Sequence, residues 1–349
     1  MQMPVTGRVC KAAAACAFVS SELSGVVMKR RDALNTMLGV TLAAVVLGSR
    51  AAEGDAAAKP VPTIAPPDRE TKIPKYKAPE NSCDTHCHIF GPAARYPYSP
   101  KRSYTPPDSG LDDFRELHAK IGIARAVIVN ASLYGNDNRV VTDAIAQSGG
   151  RYRGIANVDD SISDAQLQAL HAGGIRGCRF NFVKHLGGFP DMAVFDRTIK
   201  RIAKLDWHVD LHFDAIDLPS FYPLLDSLPI PYLIDHMGRV QAKDGLDQKP
   251  FQILLDLLAR DRKCYVKISG PERVSATGAP FHDAVPFARK LIATAPDRVL
   301  WGSDWPHPNV QVMPNDGDLI DLVPLYAPDV ADQQRLLVDN PMRLYQFGA

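Results

Sequence analysis

An excess of charge of either sign is the first thing that this sequence lacks. The chain has 349 residues, with 40 Lys and Arg against 39 Asp and Glu, so its formal net charge at pH 7 is +1. Such a balance, without a basic stripe, gives no reason to expect nucleic acid or a membrane surface as a partner. With 46% hydrophobic and 23% charged residues, the composition is that of an ordinary globular protein.

The motifs of several common site classes are also missing. The sequence contains no internal repeat, no G-x-G-x-x-G and no P-loop, which counts against a nucleotide-binding open sheet. Its six cysteines match no zinc-knuckle spacing. Four of them fall within or beside expected strands, where disulfide geometry is rare, and we expect reduced core thiols: Cys83, Cys87, Cys178 and Cys264.

A hydrophobic run long enough to cross a bilayer is missing as well. Lys29, Arg30 and Arg31 precede an apolar run over residues 37–47, and small residues follow as far as Ala58. That run falls short of the roughly 20 residues that a spanning helix needs. Basic, apolar and small-residue zones in this order are typical of a signal peptide, and the paired arginines resemble a twin-arginine signal.

We therefore predict that residues 1–58 are a signal region, with Met28 as the true start, and that the processed protein is periplasmic with no membrane association. If the signal is not used, the protein is cytoplasmic, and an uncleaved amphipathic extension is the alternative reading of this segment. Residues 59–80, rich in Ala, Pro and Lys, are predicted to be a linker, and residues 81–349 the folded domain.

From residue 81 onward, short apolar runs alternate with longer helical patterns. The predicted strands are residues 82–89, 124–130, 152–158, 174–181, 207–213, 232–235, 264–269 and 299–303. Eight strands with intervening helices favour a (β/α)8 TIM barrel of the α/β class in a single domain. A doubly wound open sheet is the alternative fold.

Unusual polar residues stand where these strands end. His86 and His88 share one face of the first strand, since alternate residues of a strand point the same way. Two imidazoles so placed can hold one divalent metal. The other strand-end residues are Arg179 on strand 4, His212 on strand 5, His236 on strand 6, Arg273 just beyond strand 7, and Asp304 after strand 8. A barrel places its active site at this end, so the set predicts a catalytic centre.

The pattern resembles the amidohydrolase superfamily, whose signature is H-x-H on strand 1, His on strands 5 and 6, and Asp on strand 8. Strand 4 carries no Lys that could be carbamylated to bridge two metals, so the resemblance implies a mononuclear site. The resemblance implies a divalent metal, zinc, with these ligands: His86, His88, His212 and Asp304.

Longer matches make the chain similar to the 2-pyrone-4,6-dicarboxylate lactonase group, over residues 84–92, 176–181, 234–239 and 301–308. In that group, residues matching Tyr104, Ser132, Arg179 and Arg273 hold substrate carboxylates. His185 stands where a second arginine is expected, and His212 where the metal-free lactonase has a tyrosine. These two departures favour a relative group, the 4-sulfomuconolactone hydrolases.

The resemblance implies a catalytic or substrate-binding role for each of the site residues. A metal would lower the pKa of a bound water, Asp304 would accept the water's proton, and His236 would stabilise the oxyanion or orient the water. Further residues are expected to bind the anionic substrate, with weaker claims for Lys184 and Lys267: Tyr104, Ser132, Arg179, His185, Arg273 and His307.

The predicted function is hydrolysis of a small anionic unsaturated lactone from aromatic-compound degradation. The favoured substrate is 4-sulfomuconolactone, converted to maleylacetate and sulfite. Three alternatives remain open: a metal-free 2-pyrone-4,6-dicarboxylate lactonase, a metal-dependent decarboxylase of the same superfamily, and a non-catalytic exported binding protein.

Overall fold

Eight parallel strands form the centre of the computed structural model, which describes residues 60–186 and 188–348. Each strand pairs with the next in chain order. The strands are β1 (Cys83–Cys87), β2 (Arg125–Val129), β3 (Tyr152–Ala156), β4 (Ile175–Asn181), β5 (His208–His212), β6 (Tyr232–Ile234), β7 (Cys264–Lys267) and β8 (Val299–Leu300). The predicted (β/α)8 barrel is confirmed.

The barrel closes between β1 and the residues that follow the short β8. The Thr85 amide donates to the Trp301 carbonyl at 3.0 Å, and the Asp304 amide donates to the His86 carbonyl at 2.7 Å. A Cβ at Gly302 would lie 2.7 Å from the His86 nitrogen, so only glycine allows the two segments to approach this closely. Closure thereby brings Asp304 next to the H-x-H strand.

Helices connect the strands and cover the outside of the barrel. They are α1 (Leu111–Ile121), α2 (Arg139–Ala146), α3 (Asp164–Ala172), α4 (Met192–Ile202), α5 (Leu218–Ser227), α6 (Lys249–Arg260), α7 (Pro271–Val274), α8 (Val285–Thr294), α9 (Asp316–Ile320), α10 (Val323–Tyr326), α11 (Val330–Gln334) and α12 (Asn340–Leu344). The sequence pattern does not predict α7, α9 or α10, since four or five residues are too few to show a helical period.

Local sequence explains where individual helices begin and which face they bury. At the start of α3, the Gln166 amide donates to Ser163 Oγ at 3.2 Å, and the Ser163 amide donates to Gln166 Oε1 at 2.8 Å. This reciprocal capping box satisfies two amides that the helix itself cannot pair. In α4, Phe195, Ile199 and Ile202 are buried at helical spacing and face the core.

Residues 60–80, most of the predicted extended linker, lie along the barrel with little regular structure. Thr63 pairs with Thr105 in a parallel bridge, and the Lys72 amide donates to Asn315 Oδ1 at 3.0 Å. The Tyr76 ring packs against the core. A Cβ at Gly317 would lie 2.1 Å from the Lys72 carbonyl, so this glycine makes room for the segment. We call residues 60–80 the N-terminal strap, because these contacts hold them against the domain.

The barrel interior has its own apolar cluster, separate from the core between strands and helices. Its buried members are Cys83, Val127, Val129, Ile155, Leu233, Leu300, Tyr345 and Phe347. The last two come from the chain's C-terminal segment. Arg125 and Arg153 lie over the Phe347 ring, with guanidinium carbons 5.4 and 4.8 Å from its centre. The tail therefore closes the barrel at the ends where the strands begin.

Two sequence predictions concern other parts of the chain. The four cysteines of the barrel are free and buried, as predicted. The predicted signal region, residues 1–58, lies outside the described residues. Among residues 60–186 and 188–348, no helix is both long and apolar enough to cross a membrane.

Candidate active site

A pocket opens at the carboxyl ends of the strands, with an empty volume of about 410 Å³ that is partly open to solvent. The strand-end residues and the loop that follows β1 supply its walls. Nine of the predicted site residues line it: His88, Tyr104, Ser132, Arg179, His185, His212, His236, Arg273 and Asp304. His86 is fully buried directly behind them, in contact with Asp304. The sequence therefore identified most of the pocket wall.

Asp304 lies at the centre of the pocket, and its two oxygens have different neighbours. Arg273 donates to Oδ2 from Nε at 2.9 Å and from Nη2 at 2.6 Å. The Oδ1 atom faces the Nε2 atoms of His88, His86 and His236, at 3.5, 3.6 and 4.0 Å. Burial alone would raise the pKa of this carboxyl, but the charges of Arg273 and the nearby imidazoles hold it well below its usual range. Asp304 is therefore anionic at neutral pH.

The two histidines of β1 are oriented from behind. His88 Nδ1 lies 2.8 Å from the Val129 carbonyl, which can only accept, so this nitrogen carries the proton and Nε2 is free. His86 Nδ1 lies 3.1 Å from Asp235 Oδ1 and 3.3 Å from Lys267 Nζ, so a carboxylate and an ammonium both stand behind that ring. A carboxylate or carbonyl behind an imidazole is the usual support of a metal-binding histidine. Both Nε2 lone pairs consequently face Asp304.

A divalent metal fits three of the four predicted ligands. The ligand atoms of His86, His88 and Asp304 lie within 4.8 Å of one another. Their nitrogen-to-oxygen distances of 3.5 and 3.6 Å approach the roughly 3.4 Å between neighbouring ligands around a tetrahedral zinc. Two imidazoles and one carboxylate are also a common donor set of catalytic zinc sites.

The structure does not bring the fourth predicted ligand, His212, into this group. Arg179 Nη2 lies 2.8 Å from His212 Nδ1, and a guanidinium can only donate. Burial, with Arg179 next, lowers the pKa of His212 well below its usual value, so the ring is neutral at pH 7. Its single proton therefore lies on Nε2. As arranged here, His212 offers a hydrogen-bond donor, where metal binding at Nε2 requires a lone pair.

His236 is a second neutral imidazole in the pocket wall. Its Nδ1 lies 2.9 Å from Ser269 Oγ, and its ring centre lies 5.2 Å from that of His212. Burial lowers the pKa of His236 well below the usual histidine value, despite the attraction of Asp304. A neutral ring can fill the predicted role of orienting water or stabilising an oxyanion, and the structure leaves that role open to both histidines.

The backbone around these residues is unusual. His236, Met237, Gly238 and Arg239 form a left-handed turn, with φ values of 52°, 53°, 65° and 53°. Asp304 is also left-handed, with φ of 68°. Such conformations cost free energy for residues other than glycine and concentrate at functional sites. Here they turn the chain sharply after β6 and β8, so that His236 and Asp304 point into one pocket.

Three guanidinium groups line the pocket. Each is paired with a carboxylate, at 3.2, 2.7 and 2.6 Å respectively: Arg179 with Asp235, Arg239 with Asp214, and Arg273 with Asp304. Arg273 also lies 3.6 Å from Glu272. Of these three carboxylates, only Asp304 lines the pocket, so the wall attracts anions. Sequence analysis did not assign Arg239 a role, although it stands three residues after His236 in a matched motif.

The predicted substrate role of Arg273 needs a correction. Both Nε and Nη2 contact Asp304, and Nη2 also donates to the Pro308 carbonyl at 2.9 Å. Only the Nη1 amino group remains for a substrate. The first task of Arg273 is therefore to hold Asp304, because a guanidinium binds a carboxylate more strongly than it binds most neutral groups.

His307 was also predicted to bind substrate, but it does not line the pocket. It is buried, with Nε2 at 3.2 Å from Asp316 Oδ1 and Nδ1 at 4.0 Å from Glu272 Oε1. Burial would lower the pKa of this imidazole, yet the adjacent Asp316 carboxylate raises it. His307 is therefore part of an ion-paired cluster behind Arg273, which sequence spacing alone could not separate from the pocket.

The two lysines with weaker claims also lie away from the pocket surface. Lys184 is exposed and does not line the pocket. Lys267 is completely buried inside the barrel, where its Nζ lies 2.6 Å from Asp210 Oδ2 and 3.3 Å from Asp235 Oδ1. Neither residue is placed to contact a substrate.

Comparison with known proteins places this arrangement in a family. The amidohydrolase family matches residues 83–347. The chain belongs to this family. This amidohydrolase is 46% identical over 281 residues to 2-pyrone-4,6-dicarboxylate hydrolase of Comamonas testosteroni, covering 78% of this chain and 92% of that protein. It is 43% identical over 275 residues to 4-sulfomuconolactone hydrolase of Hydrogenophaga intermedia, covering 78% and 90%.

A solved structure from Acinetobacter baumannii has the same fold. It is assigned as a 2-pyrone-4,6-dicarboxylic acid hydrolase with citric acid bound, and it is 27% identical with a TM-score of 0.67. The match covers 76% of this chain and 100% of that one. The predicted superfamily and the prediction of an enzyme similar to lactone hydrolases are thus confirmed.

Proposed function

We propose that this amidohydrolase hydrolyses a small lactone that carries two anionic groups. The observation that carries the proposal is the pocket itself. Asp304 Oδ1 faces the imidazoles of β1 and β6, while three guanidiniums surround the space in front of it. A base beside a cationic wall suits an electrophile with acidic substituents. The names of the similar proteins support the same reaction class.

In the proposed reaction, Asp304 Oδ1 accepts a proton from the attacking water and then delivers it to the lactone's leaving oxygen. Arg273 keeps Oδ2 occupied, so the proton transfers use one defined oxygen. A divalent metal held by His86, His88 and Asp304 would supply Lewis acidity and lower the pKa of the water.

The carbonyl oxygen of the lactone becomes negatively charged when water adds. His212 presents Nε2–H to the pocket, because Arg179 occupies its other nitrogen. A preorganised donor of this kind in a water-poor site stabilises an oxyanion by several kcal/mol, about 3 kcal/mol for a single donor. His236 lies beside Asp304 and can orient the water or serve as a second donor.

The anionic substituents of the substrate would be held by Arg239 and Arg179, with help from Tyr104 and Ser132. These two guanidiniums line the pocket and are 19% and 10% exposed, respectively. The Acinetobacter baumannii relative was solved with citric acid, a polycarboxylate, bound. The predicted contribution of His185 remains a proposal; this exposed residue lines the same wall.

The preferred substrate in this proposal is 4-sulfomuconolactone, hydrolysed to maleylacetate and sulfite. Opening the lactone leaves a hydroxyl on the carbon that bears the sulfonate. The hydroxyl then loses its proton and forms the ketone of maleylacetate, while the C–S bond breaks and sulfite leaves with the bonding electron pair. One observation favours a second candidate, 2-pyrone-4,6-dicarboxylate, because the hydrolase of that name is 46% identical to this chain. His185 and His212 depart from the pattern of the dicarboxylate lactonases, and these two departures are the reason for preferring the sulfonated lactone.

A direct comparison of both lactones tests the proposal. The purified enzyme should release sulfite from 4-sulfomuconolactone with a higher kcat/KM than it shows for opening 2-pyrone-4,6-dicarboxylate. Turnover of neither lactone would overturn the proposal, and carbon dioxide release from an aromatic acid would point to a decarboxylase. Zinc content, and activity before and after chelation, would separate the metal-dependent reaction from the metal-free one.

We also propose that residues 1–58 direct export of the folded enzyme. The support is the order of basic, apolar and small residues in that segment. Cell fractionation should find the enzyme in the periplasm, shortened at its N-terminus near residue 58. A full-length cytoplasmic product, or a precursor that begins before Met28, would contradict the respective parts of this proposal.

A further inference from the structure

A buried charged network lies inside the barrel, directly beneath the pocket. Lys267 Nζ is completely buried between Asp210 Oδ2 at 2.6 Å and Asp235 Oδ1 at 3.3 Å. His208 Nε2 approaches Asp210 Oδ1 from the far side at 3.2 Å. Removing charges from water is costly even when they are paired, and apolar side chains would fill this space without that cost. Stability alone does not account for the network.

Asp235 is the member of the network that reaches the active site. Its Oδ1 lies 3.1 Å from His86 Nδ1, and its Oδ2 lies 3.2 Å from Arg179 Nε. One fully buried carboxylate therefore contacts both a candidate metal ligand and an arginine of the pocket wall. Asp235 itself does not line the pocket, so it can act on a substrate only through these two side chains.

His86 has two competing partners at the same nitrogen. Asp235 Oδ1 is the nearer, at 3.1 Å from Nδ1, and can only accept, but it lies outside hydrogen-bond alignment; Lys267 Nζ, at 3.3 Å, is aligned and can only donate. If His86 Nδ1 accepted a hydrogen bond from Lys267, the ring's proton would lie on Nε2. Nε2 would then lose the lone pair that faces Asp304. Asp210 draws the ammonium to 2.6 Å, which leaves Asp235 as the nearer partner of His86.

We propose that Asp235 is a positioning residue that keeps the proton of His86 on Nδ1, and that Asp210 assists by engaging the ammonium of Lys267, which also lies within reach of that nitrogen. The Nε2 lone pair of His86 then faces Asp304 Oδ1 across 3.6 Å, available to a metal. Through Arg179, the same carboxylate also fixes the proton on Nε2 of His212. Asp235 thus sets opposite tautomers in two neighbouring imidazoles, one an acceptor and the other a donor.

This inference deepens the proposed function and rests on the pocket around Asp304 being the reactive site. Its main test nevertheless needs no substrate. Long-range proton–nitrogen spectra of protein labelled with nitrogen-15 in histidine distinguish the two neutral tautomers directly. A His86→Gln variant identifies the signals of that ring.

The wild type should show the Nδ1–H tautomer at His86, and Asp235→Asn should show Nε2–H. The amide keeps the shape of the carboxylate but can donate to Nδ1, as can the released Lys267. Zinc affinity, measured by competition with a chelator, should fall 10–100-fold, as is typical when such a supporting residue is lost. Asp214→Asn is the matched control, since it removes the carboxylate of a pocket arginine without touching His86.

A second variant covers the case in which Asp235→Asn does not fold. Asp210→Asn keeps Asp235 but frees Lys267, and it should shift His86 towards Nε2–H. His208 contacts Asp210 from the far side, so His208→Gln should leave the tautomer of His86 unchanged. Retention of Nδ1–H and of wild-type zinc affinity in the folded variants would overturn the proposal. If the tautomer shifts but the wild type hydrolyses no lactone, the positioning role stands and the proposed function fails.

Discussion

The two ends of the barrel have opposite effects on stability. Where the strands end, buried charged groups crowd together and the backbone turns left-handed at His236 and Asp304. Where the strands begin, apolar residues fill the interior and the tail residues Tyr345 and Phe347 close it. The first arrangement costs stability, since strained dihedrals and buried charges are both unfavourable. The second supplies the packing that offsets this cost.

This contrast predicts that mutations at the two ends affect activity and stability independently. A change at the pocket end should remove turnover and leave the fold intact or more stable. A change at the tail end should lower the unfolding temperature and leave the chemistry of the remaining folded protein unchanged. The (β/α)8 architecture makes the separation possible, because strand ends and strand starts face different surroundings.

Asp304→Asn should have the largest effect on turnover. The amide cannot accept a proton as the carboxylate does, so kcat should fall by about 10²–10⁴-fold. Asn also tolerates left-handed backbone, so the fold should be retained. Steady-state kinetics and thermal unfolding of the same preparation check both statements. Unchanged kcat would reject Asp304 as the base.

Phe347→Ala should have the largest effect at the opposite end. The ring is 5% exposed and lies beneath two guanidiniums, so its removal should cost about 3 kcal/mol in the free energy of unfolding. Urea unfolding gives the stability, and kcat at 25 °C should stay at the wild-type value. Val330→Ala, at a side chain that is 71% exposed, is the control and should change neither quantity. A lower kcat in the folded Phe347→Ala protein would contradict the expectation that this end of the barrel affects stability and not activity.

Acidification should destabilise the pocket end first. The pKa of His86 is lowered to about 4 by burial, against 6.5 for an unperturbed imidazole, so the unfolded state binds more protons between these values. Stability is fully present above pH 6.5 and declines as the pH falls towards 4, by about 3 kcal/mol for this group alone.

The measurement is urea unfolding at several pH values between 4 and 7. His86→Gln should flatten the slope in that window, because the glutamine does not titrate. If wild type and variant lose stability in parallel, the buried imidazole is not the source of the pH dependence.

Arg239→Met should have the smallest effect, and it should act on binding. Loss of one charged hydrogen bond to the substrate should raise KM about tenfold, with kcat changed much less. Arg260→Met is the matched control, since that arginine pairs with Asp226 and Asp256 on the surface, far from the pocket lining. Equal KM values for Arg239→Met and wild type would remove Arg239 from substrate recognition.

The sequence was sufficient for the fold and for nine of the residues that line the pocket. Alternating apolar runs located all eight strands, because buried parallel strands are nearly continuous hydrophobic segments. Polar residues at the strand ends then had to converge, which is why His88, His236 and Asp304 were found together.

What the sequence could not supply is the pairing among side chains from different strands. Only the structure shows that Arg179 donates to His212 and that Arg273 is bound to Asp304. His307 follows Asp304 by three residues, yet a left-handed turn directs it into a separate cluster. These outcomes depend on distances across the barrel, which motif spacing does not encode.

The N-terminal strap has a practical consequence for how the enzyme is produced. Thr63 pairs with Thr105, the residue next to Tyr104 in the pocket wall. A recombinant protein whose native sequence begins at or before residue 60 keeps this pairing. A protein that lacks Thr63 and Ile64 loses the backbone hydrogen bond from Ile64 to Thr105, which holds the loop that carries Tyr104. The choice of a cloning boundary a few residues apart could therefore decide whether a recombinant enzyme has its full substrate affinity.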